Sequence, residues 1–291
     1  MEDIPHFDGS YWTLVTVKNG EKTISKSIES ILGQSIKPSL ICIVDDGSTD
    51  STSNIIAKLA DSNPGVIFAI TLEDRGYDIR RIVHNWNTAC DYVKDHREDY
   101  DYLLISSDDV VLPADYVKRL IKEMNNDPML AVISGSRGLE QSDYLSLPEG
   151  AGRLIRLSFF KEIGYRHPPY YGYEPWILYK AMQLGYRVKK LQDLNYDHIR
   201  TFGTGHNFIE YGAAMRCLGY HPLFVLARIA RNILIREVGI SRRASVRMLF
   251  DYLFQSKWKD DPYFQYFDPD LRQFVRKIQK HRLSKKINFA V

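Results

Sequence analysis

Residues 40–52 read LICIVDDGSTDST. The first five are apolar and mostly β-branched, which reads as a short strand buried on both faces. Asp45-Asp46-Gly47-Ser48 then breaks the run with carboxylates and turn formers. Ser, Thr and Asp at 48–53 suit the start of a helix, with Ile55, Ile56 and Leu59 facing inward. A buried strand, an acidic turn and a helix make one βα unit.

The same unit recurs on either side. Upstream, WTLVTV at 12–17 reads as a buried strand. Ile24, Ile28, Ile31 and Leu32 then lie along one face of a helix. Downstream, VIFAIT at 66–71 is a third strand and 82–95 a helix. Tyr102–Ile105 is a strand that runs into Ser106-Ser107-Asp108-Asp109. Pro113 opens a helix carrying Val117, Leu120, Ile121 and Met124 on one face, and Met129–Ser134 is a further strand. The alternation predicts an α/β fold, a mostly parallel sheet with helices on both faces. Beyond 135 the pattern loosens. A Gly/Pro/Tyr-rich stretch at 164–175 leads to a helix from Pro175 to Leu184 and a strand at 186–191. The polar loop DLNYDHIRTFGTGHN follows, and after Pro222 the chain turns helical and basic.

Ligands of such sheets bind outside the carboxyl ends of the strands. The pairs Asp45/Asp46 and Asp108/Asp109 both fall at expected strand ends, hence on one edge. The first pair is no phosphate cradle, because it has a single Gly and no GK[ST]. Carboxylates there can accept hydrogen bonds from a base N–H or a ribose hydroxyl, or serve only as turn formers and caps. Asp108 can hold a hard divalent cation that bridges a diphosphate, since Mg²⁺ takes one or two carboxylates plus substrate phosphates.

Bulk composition narrows the classes. The chain has 291 residues, 44% hydrophobic and 26% charged, which fits a folded globular protein rather than a disordered one. Its three cysteines make neither a disulfide framework nor a CxxC zinc site. No signal-like N-terminus and no uncharged apolar run of membrane-spanning length is evident, so a cytoplasmic protein is expected, peripheral on a membrane at most. The net charge of +3 conceals an asymmetry. Residues 220–291 carry 15 Lys and Arg against 6 Asp and Glu, while residues 1–219 are net acidic.

IVDDGSTDST at 43–52 resembles the nucleotide-binding signature of the family-2 glycosyltransferases. Its setting resembles them too. VTVKNGEKTISKSIESILGQSIKP precedes it and SSDDVVLP follows about sixty residues later. Then come a GxGxxR-like 150–156, YGYEPWILYKAMQLGYRV and an isolated His198. The resemblance covers about residues 11–205. It implies a GT-A fold and an inverting, metal-assisted transfer of a sugar from a nucleoside diphosphate (UDP, GDP or dTDP) to an acceptor hydroxyl on a glycan or lipid-linked saccharide.

Carried onto this chain, the resemblance gives Asp46 the base-recognition role, with Asp45 beside it. Thr16 and Val17 match the end of the first strand near the base. Asp108 matches the metal-binding Asp of the DxD motif, with Mg²⁺ or Mn²⁺ as the cofactor. His198 matches a loop histidine by the metal or diphosphate. Ser106 stands where the first Asp of DxD usually stands, contributing a hydroxyl without charge next to Ser107. Asp109 can compensate as a further metal group. Arg80 and Arg81 are candidates for the diphosphate or donor pocket, or plain surface charges.

Counting back six residues from Lys180 gives Glu174 the general-base position, with Tyr173 in place of the usual Glu. The alternative is that Glu174 only complements the helix dipole. His206 stands as a second loop histidine, either a ligand or solvated.

The expected organisation is a catalytic domain at 1–219 and a basic, mainly helical extension at 220–291. Leu223, Leu226, Ala227, Ala230, Ile233 and Leu234 line one side of a helix, with Arg228, Arg231 and Arg236 toward the other. Further basic residues include Arg242, Arg243, Arg247, Lys257 and Lys259. Two readings stand for 222–286: an anionic membrane surface, or packing on the core or on a second subunit in a homodimer. No motif supports nucleic-acid binding. The rival functions are a non-catalytic nucleotide-sugar or glycan binder and, less well matched, a sugar nucleotidyltransferase.

Overall fold

The computed structural model describes residues 9–76, 78–96, 99–137, 147–200, 209–235, 240–254 and 260–287. The chain forms two compact units. One holds Met1–His167 and Gly185–Arg200, the other Pro168–Leu184 and Thr201–Val291. Units by internal contact thus change over at 167, 184 and 200, whereas the sequence reading drew a single boundary at 219.

The first unit is built on a seven-stranded sheet. Its strands are β1 (Tyr11–Val17), β2 (Leu40–Asp45), β3 (Ile67–Thr71), β4 (Tyr102–Ser107), β6 (Leu130–Ser136), β7 (Arg153–Arg156) and β8 (Arg187–Asn195), with the two-residue β5 (Val110–Val111) set apart. The order is β3-β2-β1-β4-β7-β6-β8. All neighbours are parallel except β7, which runs antiparallel to both β4 and β6. The mostly parallel α/β sheet is therefore as expected, and β7 is the strand the sequence did not announce. Its residues RLIR are all buried, so its two arginines hide the apolar run that marks the other strands. Arg156 is satisfied by backbone carbonyls, donating to Leu130 O at 3.1 Å and Met124 O at 2.6 Å.

Helices cover the sheet through their apolar stripes. They are α1 (Ile24–Leu32), α2 (Thr52–Ser62), α3 (Ile82–Tyr92), α4 (Tyr116–Asn125) and the short α5 (Leu157–Glu162). Ile24, Ile28 and Ile31 of α1, Ile56 of α2, and Val117, Leu120, Ile121 and Met124 of α4 share one core with Tyr11, Val15, Val17, Ile41 and Ile43. Each such side chain contributes about 1.5–3 kcal/mol by leaving water. The alternate residues Trp12, Leu14, Cys42 and Val44 are equally buried and point to the opposite face, toward α3.

The register fixes what the sheet presents. Val17 lies opposite Asp45, and Thr16 opposite Ser107. The carboxyl ends of β1, β2 and β4 therefore place both acidic pairs along one edge. Beyond that edge, β5 pairs antiparallel with β9 (Asp197–His198), setting His198 opposite Val110. Tyr196 anchors the entry to β9. Its hydroxyl donates at 2.8 Å to Glu149, a carboxylate also held at 2.6 Å by Lys190 and by Arg137.

The second unit is helical, with α6 (Tyr173–Gln183), α7 (Ile209–Cys217), α8 (Pro222–Ile235), α9 (Arg242–Leu253) and α10 (Pro269–Ile287). The hydroxyls of Tyr179 and Tyr220 meet at 2.9 Å, and Tyr252 donates to Tyr220 O at 2.8 Å. Phe224, Val225, Met248, Leu271 and Val275 are buried. Among the described residues no helix is long and apolar enough to cross a membrane.

Candidate active site

The first half of the site lies at the β1 and β2 ends. The Asp46 amide donates to Val17 O at 2.9 Å, which fixes the backbone just past the strand. The Asp46 carboxylate meets the Arg81 guanidinium at 2.7 Å, and both side chains are nearly buried. A 3₁₀ turn at Ile79–Arg81, immediately before α3, delivers Arg81 there. Burial pushes the Asp46 carboxyl above its ordinary value, against the Arg81 charge and a hydrogen bond with Asn85. Arg80 turns away instead, with Nε 2.8 Å from Asp78.

Asp45 is engaged by its own turn. Its Oδ1 accepts from the Ser48 amide at 2.9 Å and hydroxyl at 2.6 Å, and its Oδ2 accepts from Ser53 at 2.5 Å. These bonds end β2 and shape the loop. Gly47 has φ +69°, and a Cβ there would stand 2.4 Å from the Asp74 nitrogen, so the loop closes only around glycine. Lys18 ties it down, donating to Asp46 O at 2.8 Å, Gly47 O at 3.0 Å and Asp74 at 2.7 Å.

The second half lies past β4. Ser106 Oγ is buried without a hydrogen-bond partner, and Ser107 Oγ donates to Asp109 at 2.6 Å. Asp108 is nearly buried. Its Oδ2 accepts from Thr23 Oγ1 at 2.6 Å and from Arg200 Nη2 at 2.5 Å. Burial raises the Asp108 carboxyl to about 6, against the Thr23 bond and the Arg200 charge. Gly20 forms the wall behind it, where a Cβ would stand 2.6 Å from Oδ2. Burial also pushes Asp109 up, but bonds from His198 and Ser107 outweigh it and hold that carboxyl below its ordinary value. His198 Nδ1 is 3.4 Å from Asp109 Oδ2.

The fold thus sets His198 against Asp109 through the β5–β9 ladder, and Asp46 against Arg81, while Asp108 beside Asp109 is engaged by Thr23 and Arg200. Thr16 and Val17 line the same edge. Glu174 is the second residue of α6, in the second unit. His206, Arg236, Lys257 and Lys259 lie outside the described residues.

Arg200 and Thr23 on Asp108, and Lys18 under the loop, were not anticipated. The signal for Arg200 was a cation two residues past His198.

The donor chemistry suits a divalent cation only in company. Among the described residues, no three His, Cys, Asp or Glu gather to hold a metal ion. Asp108 and the adjacent Asp109 nonetheless supply the one or two carboxylates that Mg²⁺ or Mn²⁺ takes when phosphate oxygens complete its shell. The arrangement fits a cation that arrives with a diphosphate.

The family model described as "Glycosyl transferase family 2" matches residues 13–174. Among curated proteins, the chain is similar to poly-beta-1,6-N-acetyl-D-glucosamine synthase of Staphylococcus aureus. The two are 26% identical over 123 residues, 42% of this chain and 27% of that protein. The chain therefore spans about a quarter of that relative's length. Among solved structures it is similar to S. aureus TarS, with TM-score 0.53 at 16% identity, covering 87% of this chain and 44% of that one. TarS residues 1–349 are also known in complex with UDP-GlcNAc. A mannosyltransferase from Pyrobaculum calidifontis, in complex with GDP-Man and Mn²⁺, gives TM-score 0.57 at 16% identity, covering 96% of this chain and 80% of that one.

Proposed function

The chain belongs to glycosyl transferase family 2 and is a glycosyltransferase of GT-A fold, and from that premise we propose an inverting transfer from a nucleoside-diphosphate sugar. The observation that carries the reading is the single carboxyl edge on which Asp46 and Asp108 are both held, one past β2 and one past β4.

Asp46, kept in place by Arg81, accepts hydrogen bonds from the base, which sits against Thr16 and Val17. Uracil, thymine and guanine all offer an N–H. Ser106 and Ser107 complete the nucleoside side. The diphosphate lies toward Asp108. Asp108 and Asp109, with His198 alongside, would hold Mg²⁺ or Mn²⁺, which would supply positive charge to offset that gained by the leaving diphosphate. Glu174 takes the proton of the attacking acceptor hydroxyl, as a positioned carboxylate can. Its support is its place in the first turn of α6, within the residues matched by the family. The ordinary dipole role of an acidic first-turn residue is the competing reading.

The acceptor is a glycan or a lipid-linked saccharide. What favours a lipid surface is the second unit. Leu223, Leu226 and Leu234 of α8 and Val246, Phe250 and Leu253 of α9 are exposed, next to the exposed Arg242, Arg243 and Arg247.

A thermal-shift screen of UDP-, GDP- and dTDP-sugars, with and without Mn²⁺, tests this reading. A shift with one donor class supports it. No shift with any donor, in either condition, overturns it.

A further inference from the structure

Among the described residues, Arg200 is the one basic side chain placed directly on the Asp108 carboxylate, and its position is built into the chain. The β5–β9 ladder pairs Val110 with His198 and Val111 with Asp197. Ile199 N then donates to Asp109 O at 2.8 Å. The backbone is thus tied down one residue before Arg200, against the residue that follows Asp108. The Arg200 guanidinium lies 2.5 Å from Asp108 Oδ2, 3.2 Å from Thr23 Oγ1 and 3.3 Å from Asn19 O. Asp108 is nearly closed off from solvent, at 7% side-chain exposure, whereas Arg200 keeps 43%. One edge of a planar five-donor fork therefore neutralises a buried carboxylate, while part of the group stays open to solvent.

We propose that Arg200 is the internal cation of this site, occupying Asp108 and binding the donor's diphosphate through its open side, so that nucleoside-diphosphate binding survives without a metal ion. The inference rests on the nucleotide-sugar reading above and adds to it a residue and a consequence. A guanidinium suits the task because it is always charged and matches phosphate oxygens two at a time. Ser106 makes the arrangement coherent. A site with one carboxylate fewer presents less negative charge, which one fixed guanidinium can offset. A divalent cation arriving with the diphosphate competes with Arg200 for Asp108, so metal strengthens binding without being required for it.

Calorimetric titration of UDP and GDP into the full chain, in EDTA and separately in Mn²⁺, tests this. The proteins compared are wild type, Arg200→Met and Arg200→Lys, with the parent nucleoside titrated as a control. The wild type is expected to bind one nucleoside diphosphate in EDTA. Arg200→Met loses about tenfold or more of that affinity, Arg200→Lys loses less, and affinity for the nucleoside is unchanged in both. Partial recovery of Arg200→Met in Mn²⁺ supports the competition. Binding by Arg200→Met in EDTA as tight as by wild type overturns the proposal, as does wild-type binding that appears only with Mn²⁺. An equal loss of nucleoside affinity overturns it by showing a merely structural role. A wild type that binds neither nucleotide in either buffer refutes the donor reading itself, a distinct result.

Discussion

The Arg81 guanidinium stands 2.7 Å from the Asp46 carboxylate, with about a tenth of each side chain exposed. A buried pair of this kind costs desolvation on both sides, and its attraction repays that only with good geometry. Removing one partner leaves the other charge stranded. Arg81→Met is expected to destabilise the protein by about 3 kcal/mol and to weaken nucleoside binding about tenfold or more. Chemical denaturation and calorimetry check the two effects. Wild-type stability in the variant would show the pair to be incidental.

Glu174→Gln keeps size and helical preference but removes the proton acceptor. Turnover should fall about 100-fold or more, the usual scale of a positioned base, while donor affinity stays unchanged. A steady-state assay beside a binding titration separates these. Undiminished turnover would leave Glu174 as a residue that complements the helix dipole.

Asp108→Asn should abolish the gain in nucleotide affinity that Mn²⁺ gives, and should loosen Arg200 as well. The same titration with and without metal reads the first effect. A metal-dependent gain that persists in the variant would remove Asp108 from the cation site.

His167 provides a pH test independent of the active site. Its ring is buried with both nitrogens unpartnered, between Trp86 at 4.9 Å and Phe160 at 5.4 Å between ring centroids. Burial, with help from the Arg153 charge, lowers it to about 3 from an ordinary 6.5. Between those values the unfolded chain binds a proton that the folded chain refuses. The contribution of this group to stability is therefore complete above about pH 6.5 and is lost on acidification, by at most about 1.4 kcal/mol per pH unit. His167→Phe, which suits the aromatic surroundings, should flatten the fall in the denaturation midpoint between pH 7.5 and 5.5. An unchanged slope would contradict the assignment.

Much of this was legible in the sequence for a physical reason. Parallel strands buried on both faces must be apolar throughout, so β1, β2 and β4 declared themselves within two residues of their ends. The turns that follow must contain residues that satisfy strand-end backbone groups, so Asp45 and Asp46 also stood out. What escaped notice depends on tertiary pairing. β7 carries two buried arginines, and the partners of Arg156 are the carbonyls of Leu130 and Met124, distant in sequence. The two-residue strands β5 and β9 are too short to show a period, yet they deliver His198 and Arg200. Asp45 illustrates the opposite error of emphasis, since its oxygens serve Ser48 and Ser53 within its own loop.

The exposed apolar residues of α8 and α9 yield a separate test. Co-sedimentation with phosphatidylglycerol vesicles should be strong at low salt, weaker at high salt, and absent with phosphatidylcholine alone. Replacing Leu234 and Phe250, which are 79% and 59% exposed, with Asp should abolish it without unfolding the protein. A concentration-dependent dimer that the same variant disrupts would assign this face to a second copy of the chain.

The central claim is tested most directly by release of nucleoside diphosphate from UDP-, GDP- and dTDP-sugars in the presence of Mn²⁺, comparing wild type with Glu174→Gln. Catalysed release from one donor class by the wild type, slowed about 100-fold or more in a variant that still binds that donor, is the predicted result. Release no faster than in buffer for every donor would contradict the account and leave a protein that binds nucleotide-sugars without turning them over.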